Sequence, residues 1–437
     1  MLTAFLDRLP DMAARNQDGM RSSDFTLERM HALLVALGHP ELGLRGVHIA
    51  GTHGKGSVAV LCAAALQAAG YRVGLFTSPH AAGALAGIQL NGTVATLPEL
   101  EATFAGMQSA LGSRADWTHF EVVTALAYAH FARQEVDAAV IEAGLGGRLD
   151  ATNAWTPSVS VITPVDYDHT SILGSQLAQI AAEKAGIIKP GVPVVLAGQA
   201  AEARRVLRQA AAEQAALLVE IGEQWGYRTG EHSLAGQQLW VWSQEQPEEP
   251  IPLQIGLLGR HQAGNAATAY AALHTLQAAS GLSVPRAAVQ AGFSAARWPG
   301  RFELLQDEPA VVLDAAHSPG AAQALRQALD DYFPGQELVL VLGVSADKDL
   351  AGLLAPLQER SAAAIATQSG HARAMPTGAL AARLQQAGLT TWAEPDPQQA
   401  LRAALSAVRP GQLVLVCGSV FLVDQIRQFH RAAKGAA

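Results

Sequence analysis

Short apolar runs alternate with alanine-rich stretches along most of this 437-residue chain. A short apolar run bounded by turn residues is typical of a strand buried on both faces, and an intervening helix is what joins parallel neighbours. The alternation therefore predicts an α/β fold built on parallel sheets. In the first half of the chain the predicted strands are 46–50, 72–77, 138–143, 159–164 and 192–197.

The pattern changes over residues 220–258, where the apolar runs are typical of small antiparallel strands. A helix is predicted over 261–280 and a linker containing Trp-Pro-Gly over 293–301, after which the alternation restarts. We therefore predict two α/β domains, 1–296 and 297–437. The predicted strands of these later regions are 227–230, 238–242, 253–256, 310–314, 338–344, 363–367, 389–393 and 412–417.

Composition narrows the class of protein. Hydrophobic residues make up 49% of the chain and charged residues 16%, which excludes a disordered chain. The net charge of −8 argues against duplex nucleic acid as the main partner, because such binding depends on Lys and Arg at the phosphates. The two cysteines, Cys62 and Cys417, are too few for a disulfide framework and are expected in the core. Residues 1–16 lack a signal-peptide layout, so we expect a soluble cytoplasmic protein.

Residues 51–57 (GTHGKGS), which we call the phosphate loop, follow a predicted strand and precede an Ala/Leu-rich helix. Glycines let backbone N–H groups turn toward phosphate oxygens, and the helix N-terminus adds its positive end. Lys55 supplies a mobile positive charge, and the Ser57 hydroxyl can ligate Mg²⁺. The spacing departs from GxxxxGK[ST], since Ile49 replaces the first glycine and Gly56 precedes Ser57. The alternative is a glycine-rich turn with an incidental lysine.

A second polar site is predicted where the next parallel strands end. Glu142 lies at the end of an apolar strand, two residues before the start of the glycine- and aspartate-containing segment 144–153, which we call the aspartate loop. His169 follows another strand. Because the carboxyl ends of parallel strands meet at one edge of a sheet, both side chains can join Ser57 around Mg²⁺, which prefers hard oxygen ligands. The alternative is a solvated glutamate and a structural histidine.

Lys184 lies at the end of a predicted apolar helix, where a lysine ordinarily reaches solvent along its aliphatic stem or pairs with an acid. No spacing rule selects the dispersed polar residues Asn265, Arg301, Asp314 and His317. Their interest comes from a resemblance that covers almost the whole chain.

The chain resembles the folylpolyglutamate synthases, relatives of the Mur peptide ligases. The aspartate loop, Gly-Leu-Gly-Gly-Arg-Leu-Asp-Ala-Thr-Asn, is the most specific of the shared motifs. The resemblance implies a P-loop-type N-terminal domain with a mainly parallel sheet plus small antiparallel strands, and a Rossmann-like C-terminal domain. Other shared segments are the phosphate loop, 77–80, 120–124, 168–170, 183–189, 259–262, 265–267, 298–303, 314–317, 347–349 and 418–419.

The resemblance also implies roles for individual residues. Catalysis would involve Lys55, Lys184 and His317, and the ATP contacts would be His53, Gly54, Lys55, Gly56, Asn265, Arg301 and Asp314. Two Mg²⁺ ions would be held by Ser57, Glu142, His169 and a carbamylated Lys184. The pterin substrate and the incoming glutamate would contact Asp24, Phe25, Thr26, Ser78, His80, Thr118, Phe120, Glu121, Leu149, Asp150, Ala151 and, for glutamate, Ser419.

The activity implied is ATP-dependent addition of L-glutamate to folates, and also to dihydropteroate, through an acyl phosphate. Only small-molecule partners and a monomer are expected, with no nucleic acid or membrane. One alternative is a Mur-type ligase acting on a UDP-sugar peptide, although those relatives usually end the loop in Gly-Lys-Thr and lack the aspartate-loop motif. Two others are an ATP-hydrolysing switch and a folate-binding member without catalysis, the latter suggested by altered segments after His80 and around Ala315.

Overall fold

The computed structural model describes residues 1–10, 26–78, 83–112 and 116–435. The chain divides into two compact units, and two short segments from before residue 297 belong to the second unit. The first unit comprises Met1–Glu231, Gln237–Gly256 and Gln262–Ala296, and the second comprises His232–Gly236, Leu257–His261 and Arg297–Ala437.

An eight-stranded sheet forms the centre of the first unit. Its strands are β1 (Gly46–Ala50), β2 (Val73–Phe76), β3 (Ile88–Leu90), β4 (Thr93–Val94), β5 (Ala138–Glu142), β6 (Val159–Ile162), β7 (Val194–Leu196) and β8 (Leu218–Glu220). They lie in the order β4-β3-β2-β5-β1-β6-β7-β8. The six strands from β2 to β8 in that order run parallel, whereas β3 and β4 pair in antiparallel fashion at one edge.

A smaller sheet of three strands follows in the sequence. It has the order β11-β10-β9, with β10 and β11 antiparallel. Its strands are β9 (Trp225–Ser233), β10 (Gly236–Ser243) and β11 (Ile251–Ile255).

The second unit is built on a six-stranded sheet. Its strands are β12 (Glu303–Asp307), β13 (Ala310–Leu313), β14 (Glu337–Leu342), β15 (Ser361–Ala366), β16 (Thr391–Ala393) and β17 (Gln412–Cys417). The order is β12-β13-β17-β14-β15-β16, in which only the β12–β13 pair is antiparallel.

Helices connect most of the parallel strands. In the described residues they are α1 (Leu2–Leu6), α2 (Glu28–Ala36), α3 (Lys55–Ala68), α4 (Leu97–Leu111), α5 (His119–Arg133), α6 (Thr170–Leu173), α7 (Leu177–Ala185), α8 (Ala201–Glu213), α9 (Arg260–Ser280), α10 (Arg286–Ala295), α11 (Pro319–Tyr332), α12 (Leu350–Gln358), α13 (Thr377–Gln386), α14 (Pro397–Ala407) and α15 (Val420–Gly435). Short 3-10 helices span Ala84–Gly87 and Ala151–Ala154. No helix in the described ranges is long and apolar enough to cross a membrane.

The predicted α/β fold is confirmed, with a mainly parallel sheet in the first unit and a mixed sheet in the second. The predicted linker over 293–301 is wrong in its first part, because α10 continues to Ala295 and buries Phe293. The sequence pattern also missed four short strands, β3, β4, β8 and β12, since runs of two to five residues with polar members carry little periodicity.

Close helix packing supports the central strands. A Cβ atom on Gly292 of α10 would lie 2.5 Å from the backbone nitrogen of Ala65 on α3, so only glycine permits this approach. Strands β5, β1 and β6 are adjacent and parallel. Their carboxyl ends therefore place the phosphate loop, Glu142 with the aspartate loop, and the 163–169 segment at one edge of the sheet.

Candidate active site

The phosphate loop turns sharply between β1 and α3. Gly51 and Gly54 have φ angles of 148° and 84°, a backbone region that favours glycine. A side chain on Gly51 would collide with Thr163, and one on Gly54 would collide with the Asn265 amide. The structure therefore packs Asn265, from α9, directly against the loop that contains Lys55.

Residues of the 163–166 segment hold the phosphate loop by hydrogen bonds. The backbone N–H groups of Thr52 and His53 both donate to the Pro164 carbonyl, at 3.0 and 3.2 Å. The Thr52 hydroxyl donates to the Asp166 carbonyl and accepts from its N–H, each at 3.0 Å. His53 Nε2 lies 3.3 Å from Asp166 Oδ2. Burial lowers the pKa of His53, and the Asp166 carboxylate opposes that shift.

Lys55 begins α3 and, among the residues that the structure describes, makes only long contacts. Its Nζ donates to the Thr52 carbonyl at 3.4 Å and lies 4.0 Å from Glu142 Oε1. Glu142 ends β5 and is buried, and its Oε2 accepts the Ser78 N–H at 3.3 Å. The lysine and the glutamate therefore face the same small region at the end of the central strands.

Ser57 and His169 lie at the same edge of the sheet. Ser57 is buried in the first turn of α3. His169 adopts a left-handed backbone conformation (φ 49°) directly before α6, with Nε2 3.7 Å from Asp168 Oδ2. Across residues 26–78, 83–112 and 116–435, no three His, Cys, Asp or Glu side chains converge as a metal centre. A site for Mg²⁺ here would accordingly use few protein ligands, which is usual for Mg²⁺ bound with substrate phosphates.

Lys184 is buried at the end of α7, and its Nζ donates to the Gly51 carbonyl at 2.9 Å. Burial, with a smaller contribution from the Lys55 charge, lowers the pKa of Lys184 to about 7. Burial therefore favours the neutral form of this amine more than in an exposed lysine.

Asp150 organises the aspartate loop. Its Oδ2 accepts the Leu145 N–H at 2.7 Å, and its Oδ1 accepts the Thr152 N–H at 3.0 Å and the Thr152 hydroxyl at 2.5 Å. Burial raises the pKa of Asp150, and these hydrogen bonds oppose that shift. Both carboxylate oxygens are thus engaged within the loop.

The predicted substrate residues of α5 occupy its first turn. Thr118 and Glu121 form a capping box, and Arg29 pairs with the buried Glu121 carboxylate at 2.8 Å. Phe120 stacks on Phe76 with ring centroids 6.1 Å apart and packs against Gly144 of the aspartate loop. Phe120 and Asp150 are therefore brought together at one loop.

The remaining predicted residues of the first unit are dispersed. Leu149 is half-buried and Ala151 is buried in the aspartate loop. The Thr26 hydroxyl accepts the Glu28 N–H at 3.2 Å at the start of α2. Asp24, Phe25 and His80 lie outside the described residues.

In the second unit the predicted residues lie at the carboxyl ends of β13 and β17, which are neighbours. Asp314 accepts the N–H groups of Phe302 and Ala316, each at 2.8 Å. Burial raises its pKa, and Arg301 opposes the shift. His317 Nδ1 lies 2.8 Å from the Ala315 carbonyl, and Ser419 is buried just before α15.

Sequence reasoning missed two pairs that hold these loops. Thr52 and Asp166 join the phosphate loop to the 163–166 segment. His48 and Thr152 join β1 to the aspartate loop, with Nε2 2.9 Å from Oγ1. For Asp166, a carboxylate shortly after a predicted strand end was the one feature of the sequence that could have indicated its role. For His48, a histidine inside an apolar strand, no such feature was present.

Comparison with known proteins assigns the class. Residues 49–273 match the Mur ligase middle domain, and residues 300–420 match the glutamate ligase domain of Mur ligases. The protein is therefore an ATP-dependent ligase, and the fold and the class expected from the resemblance are confirmed.

Full-length relatives narrow the class to a family. The chain is 34% identical to the dihydrofolate synthase/folylpolyglutamate synthase of Bacillus subtilis, over 98% of this chain and 99% of that one. A folylpolyglutamate synthase structure from Mycobacterium tuberculosis, with ADP and AMPPCP, superposes with a TM-score of 0.85 at 32% identity and covers 98% of this chain and 97% of that one. An Escherichia coli structure with DHPP and ADP gives 0.87 at 29% identity, with 99% and 97% covered. The chain belongs to the folylpolyglutamate synthase family.

Proposed function

We propose that this protein uses ATP to attach L-glutamate to reduced folates and also to dihydropteroate. One observation carries the proposal: a phosphate loop and a preformed aspartate loop follow the adjacent strands β1 and β5. Relatives support both acceptors, since the Bacillus subtilis relative is a dihydrofolate synthase as well as a folylpolyglutamate synthase. One solved relative is a folate complex with AMPPCP, and another is a complex with DHPP and ADP.

In the proposed reaction the acceptor carboxylate attacks the γ-phosphorus of ATP, and ADP leaves. The glutamate amine then attacks the acyl carbon of the acyl phosphate, so that an amide forms and phosphate departs. Lys55 moves from its long contacts onto the β/γ-phosphates, because phosphoryl transfer depends mainly on positioning and charge neutralisation. Gly54, Gly56 and His53 line the phosphates, and Asn265 packs against the same turn.

The donor set of the first unit fits Mg²⁺. Glu142 and Ser57 offer hard oxygen atoms, and His169 lies at the same sheet edge, so these three residues would hold one ion. An ion held there would supply positive charge to neutralise the phosphates during the transfer. Lys184 is the proposed ligand for a second ion after carbamylation, in which CO₂ adds to the neutral Nζ and one proton is released. The partly neutral amine supports this assignment.

For the acceptor we propose contacts from Thr118, Phe120 and the aspartate loop, together with Ser78 and Thr26. Glu121 and Asp150 contribute by ordering these segments as well as by contact, since both carboxylates hold backbone N–H groups. In the second unit we propose that Arg301 and Asp314 contact ATP, that His317 takes part in catalysis, and that Ser419 contacts glutamate. We further propose that the protein acts as a monomer in the cytoplasm. Light scattering of the purified protein tests whether it is a monomer.

The experiment is a phosphate-release assay with ATP, Mg²⁺ and L-glutamate, comparing dihydropteroate with tetrahydrofolate and identifying products by mass. We expect turnover on both acceptors. Turnover on one alone restricts the protein to that activity. Phosphate release that is independent of glutamate, or release with neither acceptor, would overturn the proposal and favour a switch or a Mur-type ligase.

A further inference from the structure

A chain of hydrogen bonds runs from the centre of the sheet to the aspartate loop. His48 lies on β1, three residues before the phosphate loop, and its side chain is fully buried. Its Nε2 is 2.9 Å from the Thr152 hydroxyl, which in turn is 2.5 Å from Asp150 Oδ1. Asp150 Oδ2 then accepts the Leu145 N–H at 2.7 Å. Four residues thus link a central strand to the start of the loop.

The direction of these bonds is fixed by chemistry. The Asp150 carboxylate can only accept, so the Thr152 hydroxyl donates its single proton to Asp150. The hydroxyl oxygen must then accept from His48, which requires the proton on Nε2. His48 Nδ1 is buried and has no hydrogen-bond partner among the described residues. A charged imidazolium would bury an unpaired N–H donor there, so the neutral form with the proton on Nε2 is the one that fits.

Two further side chains hold the backbone of residues 152 and 153 in the aspartate loop. The Tyr128 hydroxyl donates to the Thr152 carbonyl at 2.7 Å, and Lys189 Nζ donates to the Asn153 carbonyl at 2.7 Å. Trp155 packs near the His48 ring, with centroids 6.1 Å apart. Thr152 is consequently fixed through its backbone as well as its side chain, which means that its hydroxyl can be removed while the backbone remains anchored.

We propose that His48 and Thr152 are positioning residues for the acceptor substrate, acting through Asp150 to set the aspartate loop against the end of β5. Neither residue is expected to touch substrate. The inference rests on the proposed function, since it assumes that this loop contacts the acceptor. It predicts an effect specific to the acceptor, because the phosphate loop has its own separate set of hydrogen bonds to 163–166.

The test compares Thr152→Val, which is nearly isosteric but lacks the hydroxyl, with Thr152→Ser, which retains it. The matched control is Thr124→Val on α5, because Thr124 is equally buried and its hydroxyl has no hydrogen-bond partner in the part of the chain that the structure describes. We expect Thr152→Val to raise KM for the acceptor about tenfold, the equivalent of one hydrogen bond to a charged group, with KM for ATP changed less than about twofold. Thr152→Ser and Thr124→Val should stay near the wild type.

A purely structural role gives a different result. It would lower the melting temperature or the active fraction of Thr152→Val and leave both KM values unchanged, or raise them equally; either outcome overturns the inference. Should Thr152→Val fail to fold, His48→Asn removes the imidazole while leaving Thr152 and Asp150 in place, and the same acceptor-specific rise is expected. A wild-type enzyme that turns over neither acceptor overturns the proposed function, whereas an active wild type with equal effects on both substrates overturns the positioning role alone.

Discussion

The phosphate loop and the aspartate loop follow neighbouring strands but are built in opposite ways. In the phosphate loop, Lys55 Nζ lies 3.4 Å from the Thr52 carbonyl and 4.0 Å from Glu142, and 17% of the lysine side chain is exposed. In the aspartate loop, Asp150 is buried and its hydrogen bonds with Leu145 and Thr152 span 2.5–3.0 Å. The phosphate loop therefore carries a positive charge that is free to move onto a ligand. In the aspartate loop, the Asp150 carboxylate is already hydrogen-bonded to the backbone of its own loop.

The contrast suggests a division of labour. Phosphoryl transfer requires a cation that follows charge as it develops, so a loosely held lysine suits the phosphate loop. Holding an acceptor at a fixed position requires a rigid support, and under the proposed function the Asp150 carboxylate, whose two oxygens both accept hydrogen bonds within its own loop, would supply it. Lys184 Nζ donates a hydrogen bond to the Gly51 carbonyl of the phosphate loop. The backbone carbonyl of its neighbour Glu183 accepts a hydrogen bond from the Arg148 N–H of the aspartate loop at 2.7 Å. The end of α7 therefore contacts both the phosphate loop and the aspartate loop.

The largest effect is expected for Lys55→Ala. Because the lysine makes only long contacts in the protein, its loss should lower kcat by at least about 100-fold, the scale of one preorganised electrostatic contact, and leave the melting temperature nearly unchanged. Steady-state kinetics and calorimetry check both parts. Lys55→Arg serves as the charge-preserving comparison and should recover activity only partly, since a planar fork does not replace a point charge. An alanine variant with most of its activity would remove the phosphate loop from the mechanism.

A smaller loss, about 10-fold to 100-fold in kcat, is expected for Lys184→Ala, the range for weakening the support of a bound metal ion. If a carbamate on Lys184 is what acts, acetate or formate should restore part of the activity by placing a carboxylate in the vacated space. The matched control is Lys189→Ala, since Lys189 is a partly buried lysine of the same segment whose pKa burial lowers to about 8. The measurement is the activity of both variants with and without added acetate or formate. Full activity of Lys184→Ala without the added carboxylate, or equal rescue of Lys184→Ala and Lys189→Ala, would contradict a carbamate on Lys184.

The positions of the two loops could be predicted from the sequence, because the ends of the apolar runs mark the ends of the parallel strands. The positions of Lys55, Glu142 and the aspartate loop follow from where apolar runs stop. The bonds that distinguish the two loops could not be predicted. His48 and Thr152 are 104 residues apart, and Thr52 and Asp166 are 114 apart. No periodicity connects such pairs, since their contact is created only by strand order.

The roles of individual residues were also harder to predict from the sequence than their positions. The family resemblance implied that Asp150 and Glu121 contact the substrate, and the structure adds that both carboxylates already accept hydrogen bonds from backbone N–H groups. Asp150 caps the short 3-10 helix Ala151–Ala154 and Thr118 caps α5, a local task that a motif does not separate from ligand binding. Strand β12 was missed for a related reason, since its Glu-Leu-Leu-Gln-Asp sequence is only partly buried at a sheet edge.

The smallest effect concerns acid stability and probes the anchor of the aspartate loop. Burial, assisted by the nearby Lys189 charge, lowers the pKa of His48 from 6.5 to about 3. The unfolded chain therefore binds a proton at this residue below pH 6.5 that the folded chain does not bind, so the stabilising effect of a neutral His48 is present above pH 6.5 and is lost as the pH falls toward 3.

For the wild type, His48 should contribute a fall in the free energy of unfolding of up to about 1.4 kcal/mol per pH unit in this range. His48→Asn cannot titrate, so its curve should fall less steeply than that of the wild type, even where its stability at pH 7 is lower. Urea unfolding at pH 7, 6 and 5 measures the difference, and Thr124→Val should run parallel to the wild type. If His48→Asn also runs parallel, the imidazole is not held neutral in the folded protein, and the aspartate loop would then depend on an ionised anchor much as the phosphate loop depends on Lys55.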